Sequence, residues 1–273
     1  MNAPTGIPIW QVDAFAQRPF TGNPAAICIL PKYPDDGWMQ QIAAEMNLSE
    51  TAFLVATEQA NELKLRWFTP AREVDLCGHA TLAAAHILIE QRRVDASQPI
   101  RFQTRSGELT CTQAQDGITL DFPATPAIDD VDPKLAASFL EALGVGEGRV
   151  LRSKFDLLAV VADADTVESL RPNFNKLNEL DARGMMVTAA GGRSGVDFVS
   201  RFFAPQCGIN EDPVTGSAHC CLAPYWADRL GKTSLVGYQA SSRGGKVICE
   251  VLGDRVRLTG KAVTVMKGEL LNV

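Results

Sequence analysis

The chain has 273 residues, of which 46% are hydrophobic and 21% are charged, and its formal net charge is -6. This composition is that of an ordinary globular protein, with enough chain for about two domains. The acidic balance, without a cluster of lysine or arginine, argues against nucleic acid or an anionic membrane as the main partner.

The cysteines and the first residues predict a cytoplasmic protein without a disulfide framework. Seven cysteines are present, which is an odd number, and no two of them have the Cys-x-x-Cys spacing of a zinc ribbon. The N-terminal residues lack the basic and apolar regions of a signal peptide. No apolar run is long enough for a membrane-spanning helix. We therefore expect a reducing compartment.

The first half of the chain predicts a β-rich domain with two helices. Asp35 and Asp36 are typical caps of the first helix, which carries apolar residues on one face. The second helix begins at Gly78 and has small or apolar residues all round, so we expect it to be buried. Apolar alternation and short apolar runs predict strands at residues 8–15, 25–30, 51–55, 63–68, 100–104, 109–113 and 117–122.

The second half predicts a domain built in the same way. Residues 123–133 contain three prolines and several acids and form the predicted linker, so that the domains are residues 1–122 and 123–261. Helices are predicted at residues 166–180 and from Gly216 to about Leu230. Strands are predicted at residues 155–161, 185–189, 198–203, 237–240, 246–252 and 255–258. The segment from residue 262 has no counterpart in the first half, and we expect residues 262–273 to join the first domain.

A repeated pattern relates the two halves. Residues 77–80 (Cys-Gly-His-Ala) are matched 138 positions later by residues 215–218 (Thr-Gly-Ser-Ala), and further glycine, cysteine, aspartate and leucine pairs keep this offset. Upstream, residues 66–70 match residues 201–205 at an offset of 135, which leaves three extra residues before the second glycine-headed helix. We interpret the pattern as an internal duplication.

The two glycine-headed helix starts, Gly78-His79 and Gly216-Ser217, are candidate anion-binding sites. The first turn of a helix has unpaired N–H groups and a partial positive charge, and glycine lets a ligand approach the backbone. In a duplicated protein the two ends could face each other and bind an anionic small molecule at the junction of the halves. The alternative is that the glycines only make tight turns and that Ser217 is an N-cap.

Few other side chains indicate chemistry by themselves. His79 lies at a helix start and is a better catalytic candidate than His86, which lies mid-helix, whereas His219 could have either role. No thiol or carboxylate spacing supports a metal site built from these histidines. Asp212 would ordinarily shape the turn into its helix, and Glu50 would ordinarily be an unremarkable charge at a strand start.

Four motifs occur in order along essentially the whole chain. They are residues 22–24 (Gly-Asn-Pro), 47–51 (Asn-Leu-Ser-Glu-Thr), 77–81 (Cys-Gly-His-Ala-Thr) and 212–218 (Asp-Pro-Val-Thr-Gly-Ser-Ala). In these motifs the sequence resembles the phenazine-biosynthesis PhzF isomerase family, which shares its fold with diaminopimelate epimerase.

The resemblance implies an α+β protein of two pseudo-symmetric domains, each a mixed β-barrel-like sheet wrapped around a central helix, with the active site between them. It also implies a homodimer that uses no cofactor and no metal. The family enzyme moves a hydrogen within a small carboxylated substrate, trans-2,3-dihydro-3-hydroxyanthranilate, without redox chemistry. The resemblance assigns catalysis to Glu50, as the acid and base, with His79 and Asp212, and substrate binding to Gly78, His79, Gly216 and Ser217.

Two alternatives stay open at this point. An amino-acid epimerase of the same fold would use two facing thiols, but the position that corresponds to Cys77 in the second half is Thr215, which is too weak a base. Cys77 could then be a packing residue. A non-catalytic protein that binds a small metabolite in the same cleft is the other alternative.

Overall fold

The structure is a computed structural model that describes residues 6–192 and 194–271. The described chain divides into two compact units. The first unit consists of the residues up to Asp121 together with those from Thr259 onward, and the second is Phe122–Leu258. The second unit is therefore an insertion between the last two strands of the first.

The first unit is a mixed sheet with two helices. Its strands are β1 (Ile7–Ala14), β2 (Asn23–Leu30), β3 (Glu50–Ala56), β4 (Glu62–Phe68), β5 (Glu73–Val74), β6 (Ile100–Thr104), β7 (Gly107–Ala114), β8 (Gly117–Pro123) and β18 (Ala262–Leu270). Its helices are α1 (Asp36–Met46) and α2 (Gly78–Glu90). The last strand, β18, runs antiparallel to β1 along the whole length of β1.

The second unit has nine strands and four helices among the described residues. The strands are β9 (Asp129–Asp130), β10 (Arg149–Arg152), β11 (Asp156–Val160), β12 (Gly184–Ala190), β13 (Phe198–Ala204), β14 (Ile209–Asp212), β15 (Ser234–Gln239), β16 (Gly245–Leu252) and β17 (Arg255–Gly260). The helices are α3 (Pro133–Leu143), α4 (Ala164–Ser169), α5 (Phe174–Asn178) and α6 (Gly216–Leu230), with a 3₁₀ turn at Pro205–Cys207. The end of β17 leads back into the first unit.

Strand pairing follows the same order in both units. In the first, β1 pairs antiparallel with β2, β2 parallel with β3, and β3 antiparallel with β4. In the second, β10, β11, β12 and β13 repeat this sequence of pairings. A helix then connects two parallel strands in each case, α2 between β4 and β6 and α6 between β13 and β15. The repeated sequence pattern thus corresponds to a repeated topology.

The matched Arg-aromatic motifs form the same contact in each unit. Arg66 on β4 binds both carboxylate oxygens of Glu73 on β5, at 2.6 and 2.7 Å. Arg201 on β13 binds both carboxylate oxygens of Glu211 on β14, at 2.7 and 2.9 Å. The extra residues of the second copy lie in the connection that contains the 3₁₀ turn Pro205–Cys207, so the insertion lengthens this connection without changing the ion pair.

Replacing Glu211 by glutamine is expected to lower the free energy of unfolding by about 3 kcal/mol, because it leaves a buried guanidinium without its counter-charge. The Arg201 side chain is only 9% exposed. The matched variant, Glu73→Gln, should cost only about 1 kcal/mol, because Arg66 is more exposed and keeps a second partner, Asp36, at 2.8 Å. Chemical denaturation of both variants measures the difference. Equal losses would contradict the assignment of Arg201 as the less solvated of the two arginines.

The two glycine-headed helices are buried, as the small-residue pattern predicts. Nearly all of α2 is inaccessible to solvent, and it packs against β1, β2 and β3. The first half of α6 is buried in the same way, with β15 and β16 as neighbours. Alanine and cysteine side chains allow this close approach of helix and strand. Among the described helices, none is both long and apolar enough to cross a membrane.

The structure corrects several predicted elements. The helical stretch expected at residues 166–180, with Asn and Pro interruptions, is two short helices, α4 and α5, because Pro172 lies between them and cannot continue α4. The helix α3 was not predicted, although it has an Asp132 N-cap and Pro133 at its first position. The strand expected at residues 237–240 is Ser234–Gln239. Four short strands, β5, β9, β10 and β14, have too few residues to give a period.

Candidate active site

The N-cap residue of α2 does not cap the backbone N–H groups of the first turn with its side chain. Cys77 is the N-cap residue and has an extended backbone, but its side chain makes no capping hydrogen bond. The Thr81 hydroxyl donates to the Cys77 carbonyl oxygen at 2.5 Å. The backbone N–H groups of the first turn, which starts with Gly78 and His79, therefore remain available for an anion.

The structure brings Glu50 and His79 together. Glu50 is the first residue of β3, and His79 is the second residue of α2. Their side chains approach to 3.0 Å between Oε2 of Glu50 and Nε2 of His79, with 17% and 6% of the side chains exposed. Oε2 is buried and makes no hydrogen bond of good geometry with the described residues. A buried carboxylate oxygen in this state is free to take up a proton.

The Gly-Asn-Pro motif places a third polar side chain against this pair. Gly22 has a φ of +67°, and a Cβ there would overlap the carbonyl oxygen of Ala14, so only glycine fits the turn into β2. The fully buried Asn23 follows, with its Nδ2 3.2 Å from Nδ1 of His79. Ser49, next to Glu50 in the chain, donates from its Oγ to Oδ1 of Asn23 at 2.9 Å. The sequence assigned no role to Asn23 or Ser49, although both lie in the motifs that carry the resemblance.

Cys77 contacts the same ring. Its Sγ lies 3.5 Å from Nδ1 of His79. Burial raises the pKa of the Cys77 thiol to about 11, so the thiol is protonated at neutral pH. Burial is the largest single influence on the pKa of His79 and lowers it, the Cys77 sulfur would raise this pKa only as a thiolate, and the Glu50 carboxylate raises it.

The donor atoms of Glu50, Cys77 and His79 lie within 4.8 Å of one another, close enough to consider a metal ion. Two N or O ligands of a tetrahedral zinc ion are about 3.4 Å apart, given metal–ligand distances of about 2.1 Å. The observed separation of 3.0 Å between His79 and Glu50 is shorter. In addition, the other ring nitrogen faces an amide N–H, whereas a metal-bound imidazole donates from that nitrogen. The arrangement suits proton transfer better than metal binding.

A second polar cluster lies at the N-terminus of α6. The Asp212 carboxylate accepts a hydrogen bond from the Thr215 hydroxyl. Fully buried Gln239 on β15 donates to the Asp212 carbonyl oxygen at 2.7 Å and accepts from the Thr215 backbone N–H at 2.9 Å. The N-cap is Thr215, without a capping side-chain bond, so the alternative that Ser217 caps the helix is wrong. Gln239 was not found from the sequence, because a strand-end glutamine carries no motif.

Ser217 lies beside an arginine that the sequence did not single out. Arg183 makes a two-pronged ion pair with the buried Asp156, at 2.6 and 2.9 Å. Its Nη2 also lies 3.4 Å from Oγ of Ser217. Aligning the strands of the two units by their register would have pointed to Arg183. In this alignment Arg183 corresponds to Ser49 of the first unit, the residue before Glu50.

His219 has a structural role. It is fully buried, its Nδ1 donates to the Thr215 carbonyl oxygen at 2.8 Å, and its Nε2 is buried without a hydrogen bond from the described residues. Burial lowers its pKa to about 4. The ring is therefore neutral at pH 7 and serves α6 as Thr81 serves α2, by bonding back to the N-cap carbonyl.

The free energy of unfolding is expected to decrease as the pH is lowered, because of His219. Its folded pKa is below the usual 6.5, so the unfolded chain binds the proton first. The stability from this group is complete above pH 6.5 and is lost as the pH falls to about 4, by roughly 3 kcal/mol. In His219→Asn, whose amide can replace Nδ1, this part of the pH dependence should vanish. Denaturation of both proteins between pH 4 and 7 measures it; a difference in stability that is constant with pH would contradict it.

The two units are not equivalent at the acid position. In the first, Thr51 pairs with Phe68, one residue after Glu50. In the second, Met185 pairs with Phe203, one residue after Gly184. Glu50 therefore corresponds to Gly184, and the duplicated scaffold carries one acid of this kind.

Comparison with known proteins identifies the family of the chain. The model of the phenazine biosynthesis-like family, PhzC-PhzF, matches residues 12–268. The chain belongs to this family. A relative in Halalkalibacterium halodurans, named an uncharacterized isomerase, is 50% identical over 97% of this chain and 98% of its own. A PhzF family protein of Enterococcus faecalis has a crystal structure with a TM-score of 0.89 at 45% identity, over 97% of this chain and 99% of that one.

The fold of this PhzF-like protein extends beyond the family. A hydroxyproline epimerase from Agrobacterium vitis superposes with a TM-score of 0.62 at 12% identity, over 99% of this chain and 94% of that one, which shows a common fold. The predicted family and the predicted α+β fold of the epimerase type are confirmed. Some relatives are named isomerases, and the fold neighbour from Agrobacterium vitis is named an epimerase. The roles of individual residues stay predictions.

Proposed function

We propose that this protein is an isomerase that moves a proton between two carbon atoms of a small unsaturated carboxylate, with Glu50 as general acid and base. The observation that carries the proposal is the Glu50–His79 pair at the open N-terminus of α2. Glu50 contributes a buried carboxylate oxygen that makes no hydrogen bond of good geometry with the described residues. His79 lies at the start of a helix whose N-cap residue makes no side-chain capping bond. The names of the relatives support the reaction class.

The proposed reaction needs only proton transfer. Glu50 takes a proton from one carbon of the substrate as the C–H bond breaks, and the electron pair left behind moves the double bond. The carboxyl proton of Glu50 exchanges with water, and Glu50 then gives a proton to another carbon, so that heavy water labels the product and no electrons enter or leave. The backbone N–H groups at Gly78 and His79 bind an anionic oxygen of the substrate and stabilise the charge that develops on it.

A substrate like dihydro-hydroxyanthranilate fits this scheme, because it has a carboxylate for the helix end and a double-bond system for the proton shift. Asp212 stays a predicted catalytic residue, and Gly216 and Ser217 stay predicted substrate-binding residues, from the resemblance. The Thr215 hydroxyl bound to Asp212 and the Arg183 nitrogen beside Ser217 give this cluster the polar character that a carboxylated ligand needs.

Two-thiol epimerisation is less well supported. Cys77 is buried and its pKa is raised to about 11, so it is a poor base at neutral pH. At the corresponding place in the second unit stands Thr215, whose hydroxyl is engaged with Asp212. Neither position offers the thiolate that this chemistry requires.

Deuterium uptake tests the proposal. The protein is incubated in heavy water with a panel of small unsaturated carboxylic acids, and mass spectrometry measures deuterium on carbon. Uptake that depends on the protein is the expected result. A ligand that raises the melting temperature but never gains deuterium would instead identify a metabolite-binding protein and overturn the enzyme assignment.

A further inference from the structure

The buried contacts of Asn23 bear on which nitrogen of His79 carries a proton. The side chain of Asn23 is fully buried at the start of β2, between Ser49 and the imidazole ring. Its Oδ1 accepts from the Ser49 hydroxyl, and its Nδ2 lies 3.2 Å from Nδ1 of His79. Ser49 and Glu50 are adjacent in the chain, so one strand start supplies both the acid and the group that orients the amide.

The chemistry of an amide limits what His79 can do. The Asn23 nitrogen is only a donor, so the ring nitrogen that faces it must offer a lone pair. The Cys77 sulfur, 3.5 Å from the same nitrogen, is a protonated thiol at neutral pH and can donate to the same lone pair. Two donors directed at Nδ1 leave Nε2 as the position for the ring proton, and Nε2 is the atom that lies 3.0 Å from Glu50.

We infer that Asn23 is a positioning residue that holds His79 as the neutral tautomer with its proton on Nε2, the nitrogen that lies 3.0 Å from Oε2 of Glu50, and that Ser49 orients the Asn23 amide for this purpose. The tautomer follows from the contacts alone. Its consequence for catalysis rests on the proposed function of Glu50.

A positively charged His79 would need a different network. The largest effect that raises the pKa of His79 against burial comes from the Cys77 sulfur, and this effect requires a thiolate. Because the Cys77 pKa is about 11, no thiolate forms near pH 7. A second proton on Nδ1 would also point at the Asn23 amide N–H groups, and the amide would have to turn over and give up the hydrogen bond from Ser49.

The neutral tautomer suits the proposed reaction. An N–H on Nε2, 3.0 Å from Oε2, attracts the Glu50 carboxylate without giving it a full counter-charge. An imidazolium would stabilise the carboxylate much more strongly and oppose its uptake of a proton from carbon. Asn23 would therefore act on the rate through His79, without touching the substrate.

Nitrogen NMR of the imidazole rings tests the inference without any substrate. The chain has only three histidines, and a His79→Gln variant assigns the signals of His79. In the wild-type protein at pH 7 we expect Nδ1 to give the signal of a nitrogen without a proton and Nε2 that of a protonated one. Signals of two protonated nitrogens, or of a proton on Nδ1 alone, would overturn the inference.

Variants separate this role from simple packing. Asn23→Asp keeps the shape but presents an acceptor to Nδ1, so we expect a proton to appear on that nitrogen. Asn47→Asp is the matched control, since Asn47 is an exposed helix C-cap, and should leave the His79 signals unchanged. Ser49→Ala, which only frees the amide to turn over, should give a mixture of tautomers and provides the test if Asn23→Asp does not fold. Unaltered His79 signals in a folded Asn23→Asp or Ser49→Ala protein would overturn the role of the network.

The catalytic consequence has its own readout. With a substrate found by deuterium uptake, Asn23→Asp should lower kcat more than tenfold with little change in KM, because the affected group acts on the proton transfer. If Asn23→Asp moved the proton to Nδ1 as expected but left kcat unchanged, the role of Asn23 in catalysis would be overturned. The wild-type tautomer would still stand. Full activity of Glu50→Gln would overturn the proposed function and leave the NMR result untouched.

Discussion

Glu50→Gln is expected to reduce substrate deuteration by about 10²–10⁴-fold, the usual contribution of a positioned general acid–base group. Glutamine has nearly the same size as glutamate and keeps an oxygen beside Nε2 of His79. It cannot take up and return a proton, so binding should survive while the transfer fails. The rate of deuterium incorporation into carbon, measured at saturating substrate, gives kcat for this step.

A matched control removes the same charge elsewhere. Glu45 is exposed on α1, and Glu45→Gln should keep full activity and the same melting temperature. Cys77→Ala distinguishes the proposed mechanism from thiol-based epimerisation. An enzyme that uses a thiol base would lose activity in this variant and retain it in Glu50→Gln. That pattern, or normal deuteration by a folded Glu50→Gln protein, would sink the assignment of Glu50.

Much of the repeated scaffold could be predicted because its determinants are local. The helix starts at Gly78 and Gly216 and the strands that contain Arg66 and Arg201 lie where the repeated pattern puts them. An insertion of three residues was visible as a change of offset, and it lies in the connection that includes the 3₁₀ turn. Spacing along one chain is enough to locate such features.

Contacts that depend on strand register could not be predicted in this way. Asn23 and His79 are separated by 56 residues, and only the parallel pairing of β2 with β3, together with the packing of α2, brings them within 3.2 Å. The same holds for Asp156 and Arg183 across β11 and β12. A single sequence fixes neither the partner of a strand nor its alignment.

The asymmetry of the units also became visible only through register. The helix offset of 138 pairs His79 with Ser217, but neither this offset nor the offset of 135 pairs Glu50 with its counterpart, because loops of different length intervene. The pairing of Thr51 with Phe68 and of Met185 with Phe203 identifies Gly184 as that counterpart. The second unit thus keeps the shape of the first and lacks its acid.

Packing at Gly184 accounts for this lack. A Cβ there would overlap the ring of Phe202 and would lie 2.9 Å from a carboxylate oxygen of Asp156. Phe202 is buried in β13, and Asp156 is held by Arg183, so neither can move aside easily. A carboxylate placed here would also be buried beside another carboxylate, which opposes its ionisation.

Gly184→Glu is therefore expected to destabilise the protein by more than about 4 kcal/mol, since overpacking and an unpaired buried charge add together. Little folded protein should remain near 37 °C, because this loss approaches the whole stability of many domains. Gly184→Ala, which adds only the overlap, should cost about 2 kcal/mol.

Gly146→Glu is the matched control for this change, because Gly146 is exposed in the same unit and a Cβ there meets no atom within 4 Å. Its stability should equal that of the wild type within about 0.5 kcal/mol. If Gly184→Glu folded as well as Gly146→Glu, the second unit would have room for an acid, and packing could not be the reason that the duplicated scaffold has one. Phe202→Leu replaces the aromatic ring by a shorter side chain and should recover part of the stability lost in Gly184→Ala. The two positions share the overlap, so their effects should not add.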